Sequence, residues 1–258
     1  MDTFVKEREH APDRFFETEA AGLRWLAEAE PDGGARTVRA VDVRPGRIEL
    51  ERIHQAPPTP EHALAFGRAL AITHDAGSVT FGAPPTGHSG PLYIGSRGMP
   101  SGTAETWGAF YAPHRVLPFL NPALQAGYLR EEEAVVVKQA CDLLVAGVLD
   151  DDELAARIHG DLWAGNVLWS ADGAVLIDPA AHGGHRETDL AMLALFGAPH
   201  LEQILEGYQQ VHPLREGWRE RIPAHQLHPL AVHAAGHGRS YGVQLAAAAR
   251  QTLALAGH

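Results

Sequence analysis

A chain of 258 residues, 45% of them hydrophobic, can bury a sizeable core in one large domain or in two lobes. Its formal net charge of −11 argues against a nucleic-acid partner, because phosphate backbones are held by clustered Lys and Arg. No apolar run reaches the ~18 residues of a membrane helix, and the charged start (Asp2, Lys6, Glu7, Arg8, Glu9) lacks a signal-peptide core, so the expectation is a soluble cytoplasmic protein.

In chain order, residues 3–6 predict a short strand and 14–30 a helix in which Phe16, Ala20, Leu23 and Ala27 recur at helical spacing. Glu19 lies at the edge of that apolar stripe, where an unpaired carboxylate is costly. Residues 38–43 and 47–53 predict two strands joined by the turn Arg44-Pro45-Gly46. The proline-rich stretch 55–60 then reads as a linker. Beyond it the spacing predicts a helix over 61–75 and a Gly/Pro/Ser-rich loop over 77–102. Helices are predicted over 103–120, 130–148, 151–158, 189–196, 201–211 and from Pro229 to the C-terminus. The single Cys141 falls in an apolar stretch and reads as a buried thiol.

The chemistry concentrates in His159-Gly160-Asp161-Leu162-Trp163-Ala164-Gly165-Asn166 and in Leu176-Ile177-Asp178-Pro179. Asp161 and Asn166 have the Asp-x-x-x-x-Asn separation that a kinase catalytic loop uses for base and metal ligand. Residues 166–169 and 174–177 predict a hairpin around Ala171-Asp172-Gly173, which returns Asp178 beside Asn166. An amide oxygen and a carboxylate converging at a strand end make a hard-oxygen site suited to magnesium, and Asp161 is left to face a substrate hydroxyl. Taken singly, these residues read as turn caps and a strand end. Their order and spacing favour the catalytic reading.

Only Lys6 and Lys138 are lysines. Lys6, on a predicted strand, can reach a nucleotide's inner phosphates if Glu19 on the next helix holds it, which also accounts for the misplaced carboxylate. After Asp178 come His182, His185, Glu187 and Asp189. A transition-metal site is disfavoured there, because Gly183-Gly184 makes a mobile scaffold and no third nitrogen or sulfur ligand is near. The histidines are expected to touch substrate or pack the loop, and Asp189 to cap the next helix. Trp163 reads as a core aromatic or as a flank for a sugar.

These blocks resemble the fructosamine kinase (ketosamine-3-kinase) family, within the aminoglycoside and choline phosphotransferase-like kinases. The resemblance rests on Phe4-Val5-Lys6, Phe16-Glu17-Thr18-Glu19-Ala20, the residues from His159 to Asn166, Ile177-Asp178-Pro179-Ala180, and His185 to Met192. Trp107, Phe110, Tyr111, His114 and Arg115, with His233 and Tyr241, extend it over essentially the whole chain.

The resemblance implies an α+β, protein-kinase-like two-lobe fold. A small β-rich nucleotide lobe would span 1–55 and a mainly helical catalytic and substrate lobe 56–258. It implies ATP and Mg2+, with transfer of the γ-phosphate to the sugar 3-hydroxyl of a free or protein-linked ketosamine. By residue, it makes Asp161 the base, Asn166 and Asp178 the metal ligands, and Lys6 with Glu19 the phosphate-contacting pair. It places the adenine hinge at 49–53, with Glu49, Glu51 and Ile53 at the nucleotide, and Trp163, His182, His185 and Glu187 at the substrate. Family members carry a Gly-rich phosphate loop before the strand lysine, whereas Lys6 lies almost at Met1. The sequence-based expectation is therefore an N-terminally truncated lobe. Another hydroxylated-amine kinase, or a silent pseudokinase, is the competing reading.

Overall fold

The computed structural model describes residues 2–255. The chain forms two compact units: one runs through Val79 and takes in Ala83–Met99 and Ala155–Leu214, while the other comprises Thr80–Gly82, Pro100–Leu154 and the chain from Arg215. All of residues 2–55 lie inside the first unit.

The first unit opens with an antiparallel sheet of order β1-β3-β2, formed by β1 (Thr3–Glu7), β2 (Ala40–Arg44) and β3 (Arg47–Glu51). In β3 the alternation is direct: Ile48 and Leu50 are buried, while Arg47, Glu49 and Glu51 turn outward. Helix α1 (Phe15–Ala27) lays Phe16, Ala20 and Leu23 on that apolar face, with Val38 and Val175 completing the core. The register sets Lys6 opposite Ile48, which fixes where its side chain emerges.

Helix α2 (Pro60–Asp75) starts where Thr59 accepts a hydrogen bond from the His62 N–H at 3.2 Å, with Pro60 in the first turn. It packs against α7 (Leu201–Val211) through a reciprocal pair of glycines. A Cβ on Gly67 would strike the Ile204 carbonyl, and one on Gly207 the Leu64 carbonyl.

Several expectations need correction. The loop predicted over 77–102 contains a short hairpin, β4 (Leu92–Ile94) and β5 (Arg97–Met99), too brief for a periodicity signal. The helix predicted over 151–158 is absent; residues 156–158 form β6 (Ala156–Ile158), which pairs antiparallel with β9 (His182–Gly184). Asp189 does not cap a helix. It lies inside α6 (Arg186–Leu195), whose N-cap is His185, with Nδ1 accepting from the Glu187 N–H at 3.2 Å. The predicted hairpin over 166–177 is present as β7 (Val167–Ser170) and β8 (Gly173–Leu176).

The second unit is helical, formed by α3 (Trp107–Tyr111), α4 (Leu120–Gln125), α5 (Glu131–Val145), α8 (Trp218–His225), α9 (Leu227–Ala234) and α10 (Arg239–Leu255). The helix expected from Pro229 is interrupted between α9 and α10, and residues 256–258 lie outside the described residues. Cys141 is fully buried on α5 and its thiol is pushed up to about 12, the signature of an inert core group. Arg115 is buried over the Phe110 ring and donates to the Pro100 and His114 carbonyls at 3.0 and 2.9 Å. No helix among the described residues is long and apolar enough to cross a membrane.

Candidate active site

The site is assembled where β6 ends. There the chain turns through Gly160 at φ 79°, and a Cβ at that position would collide with the Ala180 carbonyl and press on the His182 ring. Asp189 fixes the turn from below, accepting from the His159 and Gly160 N–H groups at 2.7 and 3.0 Å. Its carboxyl is held below the usual range: burial alone would raise it, but the His74 imidazole and these donors outweigh burial. A chain of bonds supports it, since Tyr208 Oη lies 2.8 Å from His74 Nδ1 and His74 Nε2 lies 3.2 Å from Asp189. Neutral His74 satisfies both contacts by accepting from the tyrosine and donating to the carboxylate.

His159 ties the two motifs together. Its Nε2 lies 2.9 Å from the Ile177 carbonyl, and its Nδ1 accepts from the Asp161 N–H at 3.2 Å, so the Nε2-protonated tautomer satisfies both. The hairpin does the rest, with the Ile177 N–H donating to the Asn166 carbonyl at 3.1 Å. Asp178 follows at φ 54°, a left-handed conformation that is uncommon outside glycine and clusters at functional sites.

The Asn166 amide nitrogen donates to the Asp161 carbonyl at 2.8 Å and to Asp161 Oδ2 at 3.3 Å. Its amide oxygen has no partner among the described residues. That oxygen and the Asp178 carboxylate form a hard-oxygen donor set of the kind a small divalent cation takes, so the residues fit magnesium. Burial pushes the Asp161 carboxyl up to about 7; the Asn166 hydrogen bond opposes the shift, and the charges of Asp178 and Asp189 add to it. A carboxylate poised near neutrality suits a general base.

Lys6 Nζ bonds Glu19 at 2.9 Å and also bonds Asp178. Burial would lower its pKa, but the two carboxylates win and raise it, so the ammonium stays charged. Glu19, anomalous in the sequence, is thereby paired.

Two cavities meet at these residues. One, of about 470 Å³, is lined by Lys6, Glu19, Asp161, Asn166, Asp178 and Trp163, with an outer wall of Arg8, Phe15 and Tyr93. The second, of about 260 Å³, has an apolar lining that includes Phe4, Val38, Leu50, Ile53 and Ile177. Lys6 and Asp178 line both.

Of the residues singled out from sequence, Asp161, Asn166, Asp178, Lys6, Glu19 and Trp163 come together in the first cavity, and Glu51 and Ile53 line the second. Glu49 lines neither and pairs with Arg47 at 2.8 Å. His182, His185 and Glu187 are likewise not brought to these cavities. All three are buried; His182 Nδ1 donates to the Ala180 carbonyl at 2.8 Å, and His185 caps α6. The sequence reading passed over Asp189 as an anchor, and over His74, Arg8, Phe15 and Tyr93. A buried histidine on the apolar face of α2 was the available signal for His74; the cavity wall had none.

Residues 1–255 match the sequence profile of the family described as fructosamine kinase. The chain belongs to the fructosamine kinase family. This member is 31% identical over 255 residues to a "probable ketoamine kinase" of Enterococcus faecium, covering 94% of this chain and 84% of that one. It is 29% identical to a "probable ketoamine kinase" of Thermus thermophilus, covering 92% and 82%. A crystal structure from Thermobifida fusca, named "putative fructosamine-3-kinase", superposes with a TM-score of 0.90 at 45% identity, over 98% of this chain and 85% of that one. This family member is a phosphotransferase with the kinase-like α+β fold of its relatives.

Proposed function

We propose that this family member transfers the ATP γ-phosphate to the sugar 3-hydroxyl of a ketosamine, with Asp161 as the base. The observation that carries the reading is the convergence of Asp161, Asn166, Asp178 and Lys6 on one cavity, in a chain whose relatives are named ketoamine kinases.

Asp161 takes the proton of the 3-hydroxyl as that oxygen bonds to the γ-phosphorus. The bond to the β,γ-bridging oxygen breaks, and ADP leaves with the electron pair. Lys6, held between Glu19 and Asp178, faces the phosphates where the two cavities meet. Asn166 and Asp178 are the residues that would hold Mg2+, which, when bound, offsets charge on the phosphate oxygens. The apolar cavity at Phe4, Val38, Leu50 and Ile53 suits adenine. Trp163, 42% exposed on the rim, offers a flat face to the sugar. The 3-phosphorylated adduct decomposes and frees the amine, which makes the reaction a deglycation step.

The test is ADP formation from ATP and Mg2+ with fructosyl-lysine, run against an aminoglycoside and choline. Turnover with the ketosamine alone is the expected result. Turnover with an aminoglycoside and none with fructosyl-lysine contradicts the reading.

A further inference from the structure

We infer that Arg8 binds a carboxylate on the amine side of the acceptor, so that adducts of free amino acids are the favoured substrates. This rests on the ketosamine reading above. Arg8 lies just beyond β1, two residues after Lys6, so both side chains leave the same face of the chain, roughly 7 Å apart along it. It lines the cavity that holds Asp161 but not the apolar cavity assigned to adenine. Lys6 and Asp178 mark the junction of the two, and Arg8 stands on the acceptor side of that junction.

The guanidinium is held by aromatic packing. Its carbon sits 5.1 Å from the Phe15 ring centroid, and Phe15 packs edge-on against Tyr93 at 5.2 Å. Tyr93 is pinned by its hydroxyl, which donates to the Asp13 carbonyl at 2.8 Å. The Arg8 backbone is fixed as well, its N–H donating to the Gly46 carbonyl at 2.9 Å and its carbonyl accepting from the Ala11 N–H at 3.2 Å. Among the described residues no carboxylate ion-pairs with Arg8. The contrast is local, for Glu7 beside it is taken by Arg47 at 3.2 Å, and Arg47 also collects Asp42 and Glu49.

In a chain of net charge −11, a pocket arginine with which no carboxylate of the described residues ion-pairs offers an anion site. A ketosamine made from a free α-amino acid carries a carboxylate one carbon from the sugar-bearing nitrogen. A lysine side chain within a protein carries none. The shelf of Phe15 and Tyr93 fixes the guanidinium before substrate arrives, so little ordering entropy is lost on binding.

The experiment compares fructosyl-glycine with fructosyl-glycinamide, acceptors that differ only in carboxylate against amide, on the full chain and on Arg8→Met and Arg8→Lys. The inference predicts a kcat/KM at least tenfold higher for the acid in the unaltered protein. It predicts a ratio near one in Arg8→Met and a partly restored ratio in Arg8→Lys. Equal rates with both acceptors in the unaltered protein overturn it. So does an Arg8→Met variant that loses both acceptors equally, or one whose loss appears as a raised KM for ATP, which would place Arg8 on the phosphates. Absence of turnover with either acceptor overturns the ketosamine reading itself, and this inference with it.

Discussion

Asp189 holds His159 in place through the backbone, its Oδ2 accepting the His159 N–H at 2.7 Å while Oδ1 takes the next N–H at 3.0 Å. The carboxylate is fully buried, and its remaining contact is neutral His74. Substituting Asp189→Asn sets an amide N–H against one of these donors and leaves a buried group unpaired. The expected cost is about 3–5 kcal/mol, read as a lowered urea midpoint. Activity falls in the folded fraction too, because Asp161 follows directly on the anchored turn. A midpoint within error of the unaltered protein would show that Asp189 is not the anchor.

Asp161→Asn separates function from stability. Burial raises the Asp161 carboxyl to about 7 from an unfolded value near 3.8, so the folded state binds the extra proton across that window. Stability from this group therefore falls as pH rises through it. In metal-free buffer at pH 8 the variant melts a few degrees above the unaltered protein, the difference shrinks towards pH 5, and turnover is lost. Nucleotide binding largely survives, since the proposed base acts on the acceptor. A variant that melts lower at pH 8 contradicts the account.

Three fully buried histidines impose the opposite trend. Burial lowers His74 and His159 below their ordinary value of 6.5 and pushes His228 down to about 3. Below pH 6.5 the unfolded chain takes up protons that the folded one refuses. Each such histidine then costs up to about 1.4 kcal/mol per pH unit. Three groups outweigh Asp161, so the melting temperature is flat above pH 7 and falls from pH 6.5 towards 5. A curve that rises on acidification would refute the neutral assignments.

Glu19 is the one carboxylate on α1 bonded to Lys6, and Glu19→Gln leaves Asp178 as the one charged partner bonded to Lys6 among the described residues. With the ammonium drawn towards Asp178, kcat/KM for ATP should fall by roughly 10²-fold, in line with a displaced catalytic group. The fold should survive, since the amide keeps the shape. Unchanged steady-state kinetics would return Glu19 to the role of a solvated stripe-edge residue.

Much of this site was legible because its residues lie in short, ordered blocks. Asp161 and Asn166 sit five apart in one loop, and a two-strand hairpin of ordinary signals carries Asp178 back to them. Lys6 and Glu19 were readable as a pair because a carboxylate at the edge of an apolar stripe needs a partner. What escaped depends on long-range packing. Strand β6 has three residues and pairs with the equally short β9, below the length at which period two can be told from a helix. Asp189 looked like a cap because Asp favours caps, yet its partners lie 29 and 30 residues back in the chain. His182 and His185 read as substrate-contacting or loop-packing groups by their type, and both are buried by packing that the sequence does not display. Arg8 drew no notice, since a strand-end arginine among Glu7 and Glu9 reads as a solvated charge.

The most direct test of the central claim is phosphorus NMR on fructosyl-glycine incubated with the protein, ATP and Mg2+. A new phosphate monoester whose phosphorus couples to the sugar H3, lost with Asp161→Asn, is the predicted result. Phosphate on another carbon, or release of inorganic phosphate with no ester, would contradict it.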